Sequence, residues 1–212
     1  MTNFIPVFPL EIVAYPGELL NLHISEEKYI QLITDCYAEA KPFGILTVLN
    51  NQVAEMGTLV EIIAITGVME DGKMNIHTKG KAIFKVLEMI KEIPDKMYSG
   101  AIVHYPTNFD QSQPTISAQI LNSIKELYQI LNIQKDFKKA LDELLSYDIA
   151  HHVGLNIEEE YALLGLVYES QRLEYLRRHL NKILPVVTNA EKLKEKVRLN
   201  GHFKEVKGFD LK

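Results

Sequence analysis

The side chains able to do chemistry are few and scattered. His151 and His152 are adjacent, and two imidazoles are a common beginning of a metal site. Neighbouring helical residues, however, point about 100° apart, whereas ligands on one helix face need a spacing of three or four. Cys36 is the single cysteine. It sits within an apolar helical stripe with no histidine near it in sequence, so it reads as a small buried hydrophobe rather than a nucleophile. His23, between Leu22 and Ile24, is expected on the solvent face of an alternating strand. The run Glu158-Glu159-Glu160 is accounted for by the positive end of a helix dipole. No nucleophile with an adjacent base, no acid and base pair and no metal-ligand cluster is legible, so the expectation is no catalytic residue, no cofactor and no metal. A Gly-x-x-x-x-Gly-Lys-Ser/Thr loop to cradle nucleotide phosphates is also missing from the 212 residues.

Charge and composition narrow the function classes further. A net charge of −5 with 24% charged residues offers no clustered basic surface to displace counterions from phosphate, so nucleic acid is an unexpected partner. Seven lysines and arginines face four acids from Glu191 onward. This reads as a solvated helix end and a frayed terminus, or as a surface for an acidic partner. No apolar run reaches the ~18 residues of a membrane span, no basic leader precedes Thr2-Asn3-Phe4, and one cysteine cannot form an intrachain disulfide. A reducing, cytoplasmic setting is the expectation.

The elements that must carry any function change texture midway. Through the first hundred residues, apolar and β-branched runs at Ile5–Phe8, Leu19–Ile24, Phe43–Leu49, Thr58–Val68, Met74–Thr78, Ala82–Met89 and Tyr98–Tyr105 predict about seven strands. Tyr15-Pro16-Gly17 and Asp71-Gly72 supply turns, and Gly80 and Pro94 punctuate the later strands. One helix, capped by Ser25 and carrying Tyr29, Leu32, Ile33 and Cys36 on one face, interrupts the sheet. Strands of this number can close into a small barrel, which removes exposed edges.

The polar, proline-bracketed stretch from Pro106 to Pro114 is the expected boundary between a barrel part (residues 1–108) and a helical part (residues 115–188), followed by a charged tail (residues 189–212). Past it, Thr115 is expected to cap a helix of about five turns bearing Ile116, Ile120, Ile124, Leu127, Tyr128 and Leu131. Phe137, Leu141, Leu144 and Leu145 suggest a second helix, and Ile149, Ala150 and Val153 a third ending at Gly154. Asn156, with Glu159 bonding back, caps a long helix running through Leu164, Tyr168, Leu173, Leu176, Leu180 and Ile183 to a stop at Pro185.

The order and spacing of Phe8-Pro9-Leu10, Tyr15-Pro16-Gly17, Leu22-His23-Ile24, Phe43-Gly44-Ile45, Met56-Gly57-Thr58, Asp71-Gly72-Lys73, Thr78-Lys79-Gly80 and Phe84-Lys85-Val86 resemble the N-terminal domain of the Lon protease family. Ile149-Ala150, Leu163-Leu164, Ser170, Arg172-Leu173 and Tyr175-Leu176 are similar to its helical part. The resemblance implies an α+β fold, a barrel of pseudouridine-synthase-and-archaeosine-transglycosylase (PUA-like) type with one helix, followed by an α-helical bundle. It gives Phe8, Pro9, Leu10, Pro16, Gly17, Gly44, Gly57, Gly72 and Gly80 structural roles. The function it implies is a non-enzymatic protein-binding module that engages unfolded or degron-bearing polypeptide, in partnership with a separate protease. RNA binding through the PUA-like barrel, and adaptor or regulator binding to a folded partner, are the alternatives. Monomer is the default state, because full-length relatives assemble through other domains. Ten tyrosines and no tryptophan suit a wet recognition surface. Tyr15, beside Pro16, is the ring expected to be exposed, and the groove between barrel and bundle the expected peptide site.

Overall fold

The computed structural model describes residues 3–111, 113–134, 139 and 143–202. Its first part is a six-stranded sheet of β1 (Asn3–Leu10), β2 (Leu19–Ile24), β3 (Phe43–Leu49), β4 (Gln52–Val68), β5 (Met74–Ile90) and β6 (Gly100–His104), with α1 (Glu27–Ala38) inserted after β2. The strand order is β2-β5-β4-β3-β1-β6, and β6 also pairs with β5. Five strands therefore close into a ring, and β2 lies outside it as an extra strand on β5. Closure follows from length: β5 has 17 residues, enough to pair with β2 through Met74–Lys79 and with β6 through Lys85–Ile90 while β4 runs along its other side.

Six strands form where seven were expected, because Gly80 does not interrupt β5. Gly80 instead lets the Tyr15-Pro16 turn cross the strand. Its N–H donates to Glu18 O and its carbonyl accepts from Gly17 N, each at 2.9 Å, and a Cβ at Gly80 would overlap the carbonyl oxygen of Tyr15. A bulge between Leu59 and Val60 absorbs the extra residue. The Asp71-Gly72 turn is as expected, with Met69 N donating to Lys73 O at 2.8 Å and Gly72 at φ 83°. In β5, Met74, Ile76 and Thr78 are buried and Asn75, His77 and Lys79 exposed, the period of a one-sided strand. β3, which pairs in parallel with β1 and antiparallel with β4, is buried from Phe43 through Thr47 because both its faces are covered: Leu46 packs with Val7, Phe84 and Val103, and Phe43 and Ile45 pack under α1.

α1 covers the face of β3 opposite Leu46 and Phe84. Leu32, Ile33 and Cys36 pack there with Phe8, Phe43, Ile45, Ile76 and Tyr98, and Tyr29 rests on Phe8 at 4.0 Å between ring centres. Its N-cap is Glu26 rather than Ser25, with no side-chain bond to the helix.

The helical part comprises α2 (Pro114–Leu131), α3 (Ser146–Ile149) running into a 3-10 turn (Ala150–His152), α4 (Ile157–Leu164) and α5 (Glu169–His202). α2 opens on Pro114, whose fixed φ and missing N–H suit a first helical turn; its N-cap is Gln113, and Thr115 lies inside the helix. Phe137 and Leu141 of the expected second helix lie outside the described residues, and Leu144 is buried in a loop. Gly154 has φ 74°, as its place after the 3-10 turn requires. Asn156 and Glu159 make the reciprocal cap of α4: Glu159 N donates to Asn156 Oδ1 at 2.8 Å, and Asn156 N to Glu159 Oε2 at 3.0 Å.

Two expectations fail here for tertiary reasons. The long helix breaks between Leu164 and Glu169, because the backbone of Phe109 inserts there, with Phe109 N donating to Val167 O and Glu169 N to Phe109 O. Pro185 does not end α5. Ile183, Leu184 and Val187 around it pack on the helical core, and that burial outweighs one lost backbone bond. The core itself joins both parts: Ile120, Ile124, Leu127, Leu163, Leu164, Leu173, Leu176 and Leu180 bury with Val13, Tyr15 and Ile83 from the barrel.

Candidate functional site

The groove expected between barrel and bundle is filled by a column of side chains. Arg172, fully buried on α5, lies 4.4 Å over the ring of Tyr147 from α3. Tyr147 stacks on Tyr15 at 5.0 Å, and Tyr15 meets His151 at 4.9 Å. Tyr15 is therefore 0% exposed, which corrects the expectation of an accessible ring. The Tyr15-Pro16-Gly17 turn points its ring inward because Gly80 lets the backbone sit flat on β5. The buried hydroxyl donates to Glu160 O at 3.0 Å, and burial pushes the phenol well above its ordinary pKa.

His151 ties the two parts electrostatically. Its Nδ1 lies 2.7 Å from Glu160 Oε1 on α4 and its Nε2 3.2 Å from Glu18 Oε1 beside β2. Burial lowers its pKa, but bonds to Glu160 and Glu18 outweigh that and lift it to about 9. Glu160 thus does more than dress a helix N-terminus. His152 turns elsewhere, its Nδ1 2.7 Å from the Tyr128 hydroxyl. A further link runs from Met56 N to the Tyr161 hydroxyl at 3.0 Å.

In the sequence Arg172 stands out only through the resemblance, and its environment explains why it is there. Nε donates to Ser146 Oγ at 2.9 Å and to Glu169 Oε2 at 3.1 Å, Nη1 to Asn108 Oδ1 and Leu166 O at 2.6 and 2.8 Å, and Nη2 to Asp110. Glu169 in turn accepts from Ser146 N and Oγ at 2.7 Å each. Burial pushes the Glu169 carboxyl up, against the pull of Ser146 and Arg172. One guanidinium thus fastens the polar stretch 108–110, α3 and the α4–α5 break together. The available signal was a cation in the apolar stripe of Leu173 and Leu176, three residues after a glutamate.

The surface features lie outside this frame. A groove of about 350 Å³ opens between the end of α1 and the β4–β5 pair. Cys36, Tyr37, Pro42, Leu59 and Ile62 line it, with Lys41, Glu61 and Lys81 among the charged residues there. Cys36 is 3% exposed and burial pushes its thiol up to about 12, so it is not a thiolate nucleophile at neutral pH. Phe109 and Tyr168 stack at 4.8 Å and 8° on the outside of the Arg172 hub, each nearly half exposed. Among the described tyrosines, Tyr37 and Tyr168 are the exposed rings, and Tyr15 is not. His23 is exposed on β2, its Nδ1 2.8 Å from Asn75 Oδ1. Among the residues named for structural roles, Phe8 is in the core, Pro9 and Leu10 are half-buried in β1, Pro16 and Gly17 form the turn on Gly80, and Gly44 and Gly57 lie where a Cβ would strike Phe84 or the Ile45 carbonyl. Among the described residues no group of three or more histidine, cysteine, aspartate or glutamate side chains could hold a metal ion. No described helix is long and apolar enough to cross a membrane.

Residues 5–182 match the family of the ATP-dependent protease La (LON) substrate-binding domain. The Lon protease of Flavobacterium johnsoniae is 24% identical over 92% of this chain and 26% of its own length. Lon protease 2 of Myxococcus xanthus is 24% identical over 92% of this chain and 25% of its own length. The chain thus spans about a quarter of the length of these curated relatives. Among solved structures, the Lon N-terminal domain protein of Xanthomonas campestris superimposes with a TM-score of 0.63 at 24% identity, covering 83% of this chain and 98% of that one. The N-terminal domain of the Mycobacterium avium complex Lon protease gives 0.62 at 16% identity, covering 84% and 98%. The α+β architecture is shared with both.

Proposed function

We propose, from the premise that this chain belongs to the LON substrate-binding domain family, that it is a non-enzymatic module engaging unfolded or degron-bearing polypeptide. The single observation carrying this reading is a match to a substrate-binding domain over residues 5–182, within a chain that covers about a quarter of Lon protease relatives. The reading divides the chain into a barrel part (1–108), a helical part (115–188) and a charged extension (189–212), and assigns no ATPase or peptidase step to any of them. Two surface features support it. The groove beside α1 joins apolar walls to charges of both signs, a lining that accepts varied unfolded segments. The Phe109–Tyr168 pair offers aromatic surface held in place by the Arg172 hub, and rigid aromatic anchors are what interface hot spots use. A separate protease is the partner to which such a module would deliver its clients.

The test is an anisotropy titration of the purified chain against fluorescein-labelled, reduced and carboxymethylated lactalbumin, which stays unfolded, and against a labelled single-stranded RNA, near physiological salt. The expected result is saturable binding to the polypeptide and none to the RNA. Binding to the RNA alone would overturn the reading in favour of a PUA-like nucleic-acid module, and binding to neither would leave a folded partner as the ligand.

A further inference from the structure

We infer that the open edge of β2 is a strand-docking site, where an extended client segment adds itself to the sheet as a seventh strand. This deepens the polypeptide-binding reading and rests on it.

The inference comes from the pairing pattern. In an antiparallel ladder, alternate residues direct both N–H and C=O toward the partner and the others direct them away. Gly80 N donates to Glu18 O, and the register from Leu19↔Lys79 to Ile24↔Met74 is unbroken. Leu20, Leu22 and Ile24 therefore bond to β5, while the N–H and C=O groups of Leu19, Asn21 and His23 point to the other side. No described strand pairs with that side, since β2 ends the sheet while the remaining strands close on themselves. Among the described residues no hydrogen bond reaches those backbone groups from elsewhere.

Two observations say that this edge is receptive. First, it lacks the devices that blunt solvent-exposed edges. Leu19–Ile24 contains no lysine, proline or other charge, and its ladder has no bulge, whereas β3–β4, β4–β5 and β5–β6 all do. Second, Leu20 and Leu22 face the cluster under α1 but stay only half-buried, and no described strand lies beyond them. Leu19 is 69% exposed on the opposite face.

The occupant that fits is an extended polypeptide with apolar side chains at alternate positions. Its backbone would satisfy three residues of β2, and its inward side chains would cover Leu20 and Leu22. Glu18 is held by His151 and Tyr15 N, but Glu26, 62% exposed, stands just past the Ile24 end of the edge. A segment carrying lysine or arginine at that end suits it better than a second copy of this chain, which brings a net charge of −5 of its own.

The test separates this inference from the reading beneath it. Asn21→Pro removes an outward N–H and adds bulk on the open side while leaving the bonds to β5, and Asn21→Lys places a charge there without touching the backbone. Both variants are titrated with the labelled carboxymethylated lactalbumin, with circular dichroism confirming the fold. The expected result is a Kd at least tenfold weaker for each folded variant. In the wild-type chain, amide exchange at Leu19, Asn21 and His23 should slow at least tenfold when the polypeptide is added. Wild-type binding with unchanged affinity in the folded Asn21→Lys variant, and no added amide protection, would overturn the edge site while leaving the polypeptide reading intact. No wild-type binding would overturn both. A dimer dissolved by Asn21→Lys, with polypeptide affinity unaltered, would overturn the client as occupant in favour of a second copy.

Discussion

Arg172 and His151 are two cations at opposite ends of one aromatic column, and their environments set opposite tests. Arg172 is buried with Glu169 beneath it, so Arg172→Met strands a buried carboxylate. Removing one partner of a buried pair costs about 3–5 kcal/mol, and the expected outcome is an unfolding free energy, from denaturant titration, lowered by that amount. The double variant with Glu169→Gln should recover part of the loss. His151 is held charged by Glu160 and Glu18, with a folded pKa of about 9 against an ordinary value near 6.5. A raised folded pKa gives stability that is fully present below the unfolded value and is lost as pH rises through the folded one. The melting temperature should therefore fall between about pH 6.5 and 9 for reasons traceable to this residue. His151→Gln should flatten that part of the profile, measured by thermal melts across the range.

Secondary elements that depend on local chemistry were legible in the sequence. The Asn156–Glu159 cap, the Asp71-Gly72 hairpin and the α2 stripe from Ile116 to Tyr128 all rest on residues within a few positions of each other and form as expected, while Leu131 at the end of that stripe is exposed. The α4–α5 break was not legible, because it is made by Phe109, nearly sixty residues earlier, lending its backbone to Val167 and Glu169. Gly165, the C-cap of α4, is the local mark of the break, but Leu164, Tyr168 and Leu173 on either side of it read as one continuous stripe. Gly80 and Pro185 depart from their local expectation for a related reason. Each is a breaker by local rules, yet one accommodates a crossing turn and the other is held in a helix by its neighbours' burial. The candidate surface was the least legible part, since whether Tyr15, Tyr37 or Tyr168 faces solvent depends on what packs above each ring. Pro185 leads to a prediction at this scale. Pro185→Ala restores a backbone donor to α5 and relieves a helix-interior proline, which costs about 3 kcal/mol in an exposed helix. Amide exchange in the turn around Asn181 should slow, and the melting temperature should rise.

At the scale of the whole molecule, barrel and bundle share one buried cluster through Val13, Tyr15 and Ile83, joined by the His151 bridges and the Met56–Tyr161 bond. Neither part can open without exposing apolar surface of the other. The expected outcome is a single unfolding transition in which far-ultraviolet and near-ultraviolet dichroism coincide; two separated transitions would contradict it. The ring of strands also has a consequence in time. The β4–β5 hairpin turns over in five residues, Met69 to Lys73, whereas β1 and β6 meet through Ile5 and Ala101, about a hundred residues apart. Loop-closure entropy makes distant pairings late and slow to form. The hairpin is then expected to form early and the β1–β6 seam late, so substitutions in the Met69–Lys73 turn should slow refolding while substitutions at Ile5 or Ala101 should mainly speed unfolding, read from the two arms of a chevron.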